Sequence, residues 1–211
     1  CFQILPSSFA ADPVIDPVYG FRLNRGSLTD HEHEAPLSGE ERRLNDESKR
    51  HHPIYNGMQF PDSLDRPSRT VTATCTRVSR ESIVIKDTNT SKLRRLTVRE
   101  RASVQAFPIT FQLYGASYSN RLRMAGNAVP PLLTYFIAQS MRNVPVEKAG
   151  MPPKAATAVH PLPVALPHRV APETKGAQYP EDRRFRAALH GFRFGSGVRF
   201  ELSNVAGGTV G

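Results

Sequence analysis

Three groups of residues in this chain have types and spacings suited to chemistry. The first is Gly126-Asn127-Ala128-Val129-Pro130-Pro131. Glycine permits a tight turn, asparagine is a good N-cap, and prolines in a helix's first turn lose no hydrogen bond. Backbone donors at such a helix start also suit a polar ligand. The second group is Arg94, Arg95, Arg99 and Arg101. They crowd a helix start, where the helix dipole disfavours cations, so they call for an acidic partner or a phosphate. The third is the segment Arg69 to Arg77, RTVTATCTR. Its alternation predicts a strand with Thr70, Thr72, Thr74 and Thr76 on one side and Val71, Ala73 and Cys75 on the other. Flanked by Arg66, Arg69, Arg77 and Arg80, the threonine face could offer hydroxyls and guanidinium groups to DNA; an ordinary surface hairpin fits the same residues. His31, His33, His51 and His52 lie in a polar stretch with no partnering cysteine pair, so no metal site is expected.

These groups need elements to position them. Thr97 and Glu100 form a capping box, predicting a helix from Val98 to Ala106 that Pro108 stops. Val129, Leu132, Leu133, Phe136, Ile137 and Met141 recur at helical spacing, predicting a helix over Ala128 to Met141 with a broad apolar face. Between them, Phe107 to Arg123 reads as a loop anchored by aromatic residues. Glu81 to Lys86 reads as a second strand, joined to the threonine strand through Arg77-Val78-Ser79-Arg80. Upstream, Val18 to Leu23 reads as a short strand and Glu40 to Ser48 as a short helix opened by Ser38. Residues 143–180 are rich in proline and alanine and read as an extended linker. Beyond it, Asp182 to His190 reads as a helix and Phe192 to Leu202 as a strand pair.

The 211 residues carry a formal net charge of +9, unevenly placed. Residues 1–60 hold 6 Lys/Arg against 9 Asp/Glu, residues 61–150 hold 14 against 6, and residues 151–211 hold 8 against 4. A basic middle suits nucleic acid, and equally a solvated basic face. The 2 cysteines, Cys1 and Cys75, lie far apart. They give neither a disulfide framework nor metal-ligand spacing, which fits a reducing cytoplasm. No apolar run is long enough to span a membrane. A chain opening on Cys1 reads as part of something longer.

Arg94 to Pro108 reads R-x-L-T-x-R-E-x-A-x-x-Q-x-F-P, and Gly126 to Pro131 reads G-N-A-V-P-P. In this order and spacing the pair resembles the last two motifs of DNA cytosine-5 methyltransferases, over roughly residues 50 to 143. The resemblance implies an α+β fragment: the C-terminal piece of a Rossmann-like α/β domain that uses S-adenosylmethionine, with part of a small β-rich recognition domain. Residues 1–92 would belong to the target recognition region, 93–143 to the helices returning to the methyltransferase domain, and 144–180 to a linker; 181–211 have no assignment. By resemblance, Asn127, Ala128 and Val129 would line the S-adenosylmethionine pocket, and Arg66, Arg69, Thr70, Thr72, Arg77 and Arg80 would face duplex DNA. Arg94, Thr97, Arg99, Glu100 and Gln105 would form polar links between the two parts. In such enzymes a cysteine thiolate in a Pro-Cys motif adds to carbon 6 of a cytosine turned out of the duplex, and a glutamate in Glu-Asn-Val steadies the ring. Neither motif occurs here. The chain is therefore expected to lack the nucleophile and to work with a missing N-terminal part or subunit. The competing expectation is a non-catalytic DNA-binding or partner-binding module.

Overall fold

A computed structural model describes residues 11–29, 32–51, 57–154, 170–174, 186–194 and 198–203. The chain divides into two units, Cys1–Gly176 and Ala177–Gly211.

The first unit is a small α+β assembly with two short antiparallel hairpins. β1 (Val14–Ile15) pairs with β2 (Arg22–Leu23). Asp16 shapes the turn: its Oδ1 accepts from the backbone N–H of Val18 at 2.9 Å and of Tyr19 at 2.5 Å. An asparatate side chain that mimics a turn carbonyl in this way is a strong local turn signal. The strand expected over Val18 to Leu23 is thus confined to its last two residues.

α1 (Gly39–Arg50) extends the expected helix at both ends, and the Ser38–Glu41 capping box opens it. Its buried residues are Glu41, Asn45 and Lys49, one per turn. A helix spelled GEERRLNDESKR has almost no apolar face, so polar contacts hold it. Asn45 Nδ2 donates to the Arg77 carbonyl at 2.8 Å, and Lys49 Nζ donates to Asn45 Oδ1.

β3 (Val84–Lys86) pairs with β4 (Leu93–Arg95) around the turn at 87–92. This corrects the expected hairpin. Residues 69–77 join no ladder and bend at Ala73, and the chain turns at 79–82, where the Ser82 N–H donates to the Ser79 carbonyl at 3.1 Å, rather than through a hairpin connection at 77–80. Ser79 Oγ lies 2.7 Å from Ser82 Oγ in that turn. The alternation itself holds: Val71 and Cys75 are buried while Thr70, Thr74 and Thr76 are exposed. A period of two reports which side is covered, not what pairs with the edge.

α2 (Val98–Val104) opens on the expected capping box, with Glu100 N donating to Thr97 Oγ1 at 3.1 Å and Thr97 N to Glu100 Oε2 at 2.9 Å. It ends before Pro108 can stop it. Ala106 takes φ 60°, and the N–H groups of Phe107 and Ala106 turn back onto Ala102 and Ser103 carbonyls. That is a left-handed C-terminal cap.

α3 (Tyr118–Asn127) lies where a loop was expected, opened by Ser117, whose Oγ accepts from Asn120 N at 3.1 Å. α4 (Pro131–Met141) follows after Ala128–Pro130, and α5 (Val146–Ala149) is a single turn. Asn127 is therefore the last residue of α3 rather than the N-cap of the next helix. The cap of α4 is Pro130, with no side-chain hydrogen bond. Pro130 and Pro131 keep Val129 and Pro130 out of the helix, because each biases its predecessor away from helical backbone.

The main core joins α2 and α3 through Val98, Ala102, Tyr118, Leu122 and Ala125, with Cys75 from the threonine segment. Val170 packs against it, and Glu173 pairs with Arg95. Val170 and Glu173 of the expected linker are thus tied to the core. Among the described residues no helix is long and apolar enough to cross a membrane.

In the second unit, β5 (Arg186–Phe194) pairs antiparallel with β6 (Val198–Ser203). The strand pair was expected. The helix expected over Asp182 to His190 is replaced by strand from Arg186, and residues 182–185 lie outside the described residues.

Candidate nucleic-acid and cofactor interface

The threonine segment is fixed at both ends by arginines. Arg69 makes a two-pronged contact with Asp62, Nε to Oδ1 at 2.6 Å and Nη2 to Oδ2 at 2.9 Å. It also donates to the carbonyls of Arg80 at 3.2 Å and Ser82 at 2.8 Å. Asp62 Oδ2 in turn accepts from Val84 N at 2.8 Å, so this end is anchored to β3. At the other end Arg77 is 1% exposed. It contacts Glu41 through Nε at 2.6 Å and Nη2 at 2.9 Å, reaches Glu34 at 3.4 Å, and donates to the Pro36 carbonyl at 2.8 Å.

Of the arginines expected to face DNA, only Arg66 is exposed. Arg69 and Arg80 are half-buried, and Arg77 is turned inward. The structure gathers Arg66 and Thr70 on one exposed stretch, with Thr72 half-buried beyond it. Thr72 Oγ1 donates to the Thr74 carbonyl at 2.9 Å.

The acidic partner that the arginine cluster calls for lies within the chain. Arg94 pairs with Glu100 at 2.7 Å and with Asp87 at 2.6 Å. Arg94 and the Thr90 backbone N–H hold the Asp87 carboxyl at about 2. Arg95 Nε donates to Glu34 at 2.7 Å and its Nη1 to the Cys75 carbonyl at 2.8 Å. Its guanidinium also lies 5.4 Å from the centre of the Tyr118 ring. Glu34, 0% exposed in its side chain, sits between Arg77 and Arg95. Burial pushes its carboxyl up, and Arg95 and Arg77 pull it back. Arg99 donates to the carbonyls of Pro108, at 3.0 Å, and Phe111. Gln105 Nε2 donates to the Ala125 carbonyl, linking α2 to α3.

Glu34, Glu41 and Asp62 are the residues that sequence reasoning missed. For Glu34 and Glu41 the signal was present as the acidic excess of residues 1–60, which complements the basic middle; Asp62 lies within that middle and gave no such signal.

Asn127 and Val129 are exposed, Val129 to 65%, beside the uncapped start of α4. α4 buries none of its residues. Leu133 is 52% exposed, Ile137 50% and Met141 81%. The helix end that carries Asn127 lies directly against the threonine segment, because Gly126 abuts the Thr72–Ala73 peptide.

The exposed Thr70 and Thr74 thus stand on a segment braced by buried ion pairs, beside a helix start that no side chain caps. The model of the C-5 cytosine-specific DNA methylases matches residues 21–143, and the chain belongs to that family. It is 39% identical over 94 residues to the type II methyltransferase M.AplI of Arthrospira platensis, covering 42% of this chain and 26% of that protein. It is 44% identical over 55 residues to the type II methyltransferase M.FnuDI of Fusobacterium nucleatum, covering 26% of this chain and 16% of that protein. A third relative, the type II methyltransferase M.HgiDI of Herpetosiphon aurantiacus, is 42% identical over 52 residues, 25% of this chain and 16% of its own length. The aligned parts cover between 16% and 26% of the length of these relatives. No solved structure matches the chain.

Proposed function

We propose that the chain is the C-terminal part of a DNA cytosine-5 methyltransferase acting at a specific duplex site, and that it supplies recognition and part of the cofactor pocket. The observation that carries this is the adjacency of the Thr70–Thr74 stretch, exposed at Thr70 and Thr74, to the helix end Gly126–Val129. One side suits DNA, the other a small ligand, and the two share a peptide contact. Arg66, Thr70 and Thr72 face the duplex, with Arg80 beside them. Arg69 and Arg77 act as braces, because their guanidinium groups are already engaged with Asp62 and with Glu41 and Glu34.

Asn127, Ala128 and Val129 fit the role of lining the S-adenosylmethionine pocket: an exposed amide and an exposed apolar side chain stand beside a helix start that no side chain caps. S-adenosylmethionine supplies the methyl group. The chain's own part is to hold and orient, since neither Pro-Cys nor Glu-Asn-Val occurs in it. The uncovered apolar face of α4 packs onto the Rossmann-like sheet of the missing N-terminal part. Residues 1–92 serve recognition, and 93–143 return to the methyltransferase domain.

Expression of the complete protein followed by bisulfite sequencing of the host DNA tests this reading. Protected cytosines at one defined sequence are expected from the complete protein and none from the 211-residue chain alone. Unprotected DNA with the complete protein present would overturn it.

A further inference from the structure

We propose that Gly126 and Arg101 are positioning residues for DNA discrimination, holding the Thr72–Ala73 peptide from two sides and so setting where Thr70 stands. The inference rests on the methyltransferase reading above and goes beyond it.

A Cβ added to Gly126 would lie 2.2 Å from the Thr72 carbonyl oxygen, 2.3 Å from its carbon and 2.4 Å from the Ala73 nitrogen. The obstruction is a peptide plane, not the end of a side chain that can swing aside. These separations fall short of ordinary non-bonded contact, about 3.5 Å, by roughly 1 Å. Any side chain at position 126 therefore displaces either α3 or the threonine segment. α3 is the firmer of the two: Leu122 and Ala125 are buried in the core, Gln105 holds the Ala125 carbonyl, and Arg121 Nη1 donates to the Thr29 carbonyl at 2.7 Å. The segment, which joins no ladder, is the part that yields.

Arg101 acts on the same peptide. Its Nη2 donates to the Thr72 carbonyl, the side chain is fully buried, and its Nε and Nη1 have no acceptor among the described residues. A buried cation with two idle donors is unfavourable, and an apolar residue of similar volume would fill the space at no loss. Stability does not explain an arginine here. Aiming one carbonyl does. Since Asn127 follows Gly126 directly, one helix end sets the spacing between the proposed cofactor edge and the DNA edge.

The test uses the complete enzyme, with its site defined by bisulfite sequencing. Two variants are compared with the parent: Gly126→Ala, which intrudes on the peptide, and Arg101→Met, which removes the bond at similar volume and carries the test if the first fails to fold. The readouts are kcat/KM on the defined site and on duplexes changed at one base, the Kd for S-adenosylmethionine, and the Tm. A misplacement of about 1 Å in a positioning group lowers rates by about 10²-fold. The expected result is a loss of discrimination between the site and its changed versions of about tenfold to a hundredfold, with the cofactor Kd of Arg101→Met within about threefold of the parent. Arg101→Lys, which keeps a donor for the carbonyl, should recover most of the discrimination. Unchanged discrimination in a folded variant, or a cofactor Kd weakened as much as discrimination in Arg101→Met, would overturn the proposal and leave the functional reading standing. A parent protein that methylates no duplex would overturn both.

Discussion

Arg77 and Arg66 divide the work that arginine does in this chain. Arg77 is buried among two carboxylates and a set of carbonyls, whereas Arg66 is exposed beside Thr70. Removing one partner of a buried pair leaves an uncompensated charge, typically a loss of about 3–5 kcal/mol. Arg77→Ala is therefore expected to unfold the complete protein at markedly lower denaturant, without any special effect on DNA once folded. Arg66→Ala should leave the denaturation midpoint unchanged. It should weaken DNA binding about equally for all sequences and reduce the magnitude of the salt slope by about 1 in a titration series. Asp87 gives a pH test. Its folded carboxyl titrates near 2, below its ordinary 3.8, through Arg94 and Thr90. A depressed carboxyl adds stability above the ordinary value that is lost as pH falls toward the folded one. Denaturation curves between pH 4 and 2 should therefore show a steeper loss for the parent than for Asp87→Asn. Sequence alone does not single out Arg77, because its carboxylate partners Glu41 and Glu34 lie 36 and 43 residues away along the chain.

At the scale of elements, local chemistry was legible and tertiary pairing was not. Both capping boxes, Ser38–Glu41 and Thr97–Glu100, open helices where the sequence placed them, since each is completed within four residues. The threonine alternation correctly gave the buried side of 69–77 but not its lack of a ladder partner. α3 was missed because its buried stripe is Tyr118, Arg121, Leu122 and Ala125, in which an arginine breaks the apolar pattern. The end of α2 invites a simple change. Ala106 holds φ 60°, a conformation that burdens a Cβ by roughly 1–2 kcal/mol. Ala106→Gly should raise stability by about 0.5–1 kcal/mol, read as a higher denaturation midpoint at unchanged slope. α4 was legible as an amphipathic helix, and its apolar face is bare. Replacing Leu133 and Ile137 with glutamate should keep the isolated chain monodisperse in light scattering where the parent aggregates. The same pair in the complete enzyme should abolish methyl transfer by preventing that face from docking.

For the whole molecule, family membership followed from two short motifs, while the site that surrounds them depended on contacts far apart in the chain. Gly126 looks like a turn glycine in sequence, and only the nearness of the Thr72–Ala73 peptide explains why nothing larger fits. The basic middle likewise looked like a DNA surface of net +8, yet Arg77, Arg95, Arg99, Arg101 and Arg121 are buried within it.

Those buried pairs join an acidic first third to a basic middle, Glu34 and Glu41 to Arg77 and Glu34 to Arg95. The first third thus works as a built-in counter-ion. Proteolysis after Arg50 followed by loss of the leading peptide would strip two carboxylates from the guanidinium groups they neutralise. What remained would be a sticky polycation, prone to coat any nucleic acid regardless of sequence. On the proposed reading, the carboxylates held inside the chain are what keep its binding of nucleic acid from becoming indiscriminate.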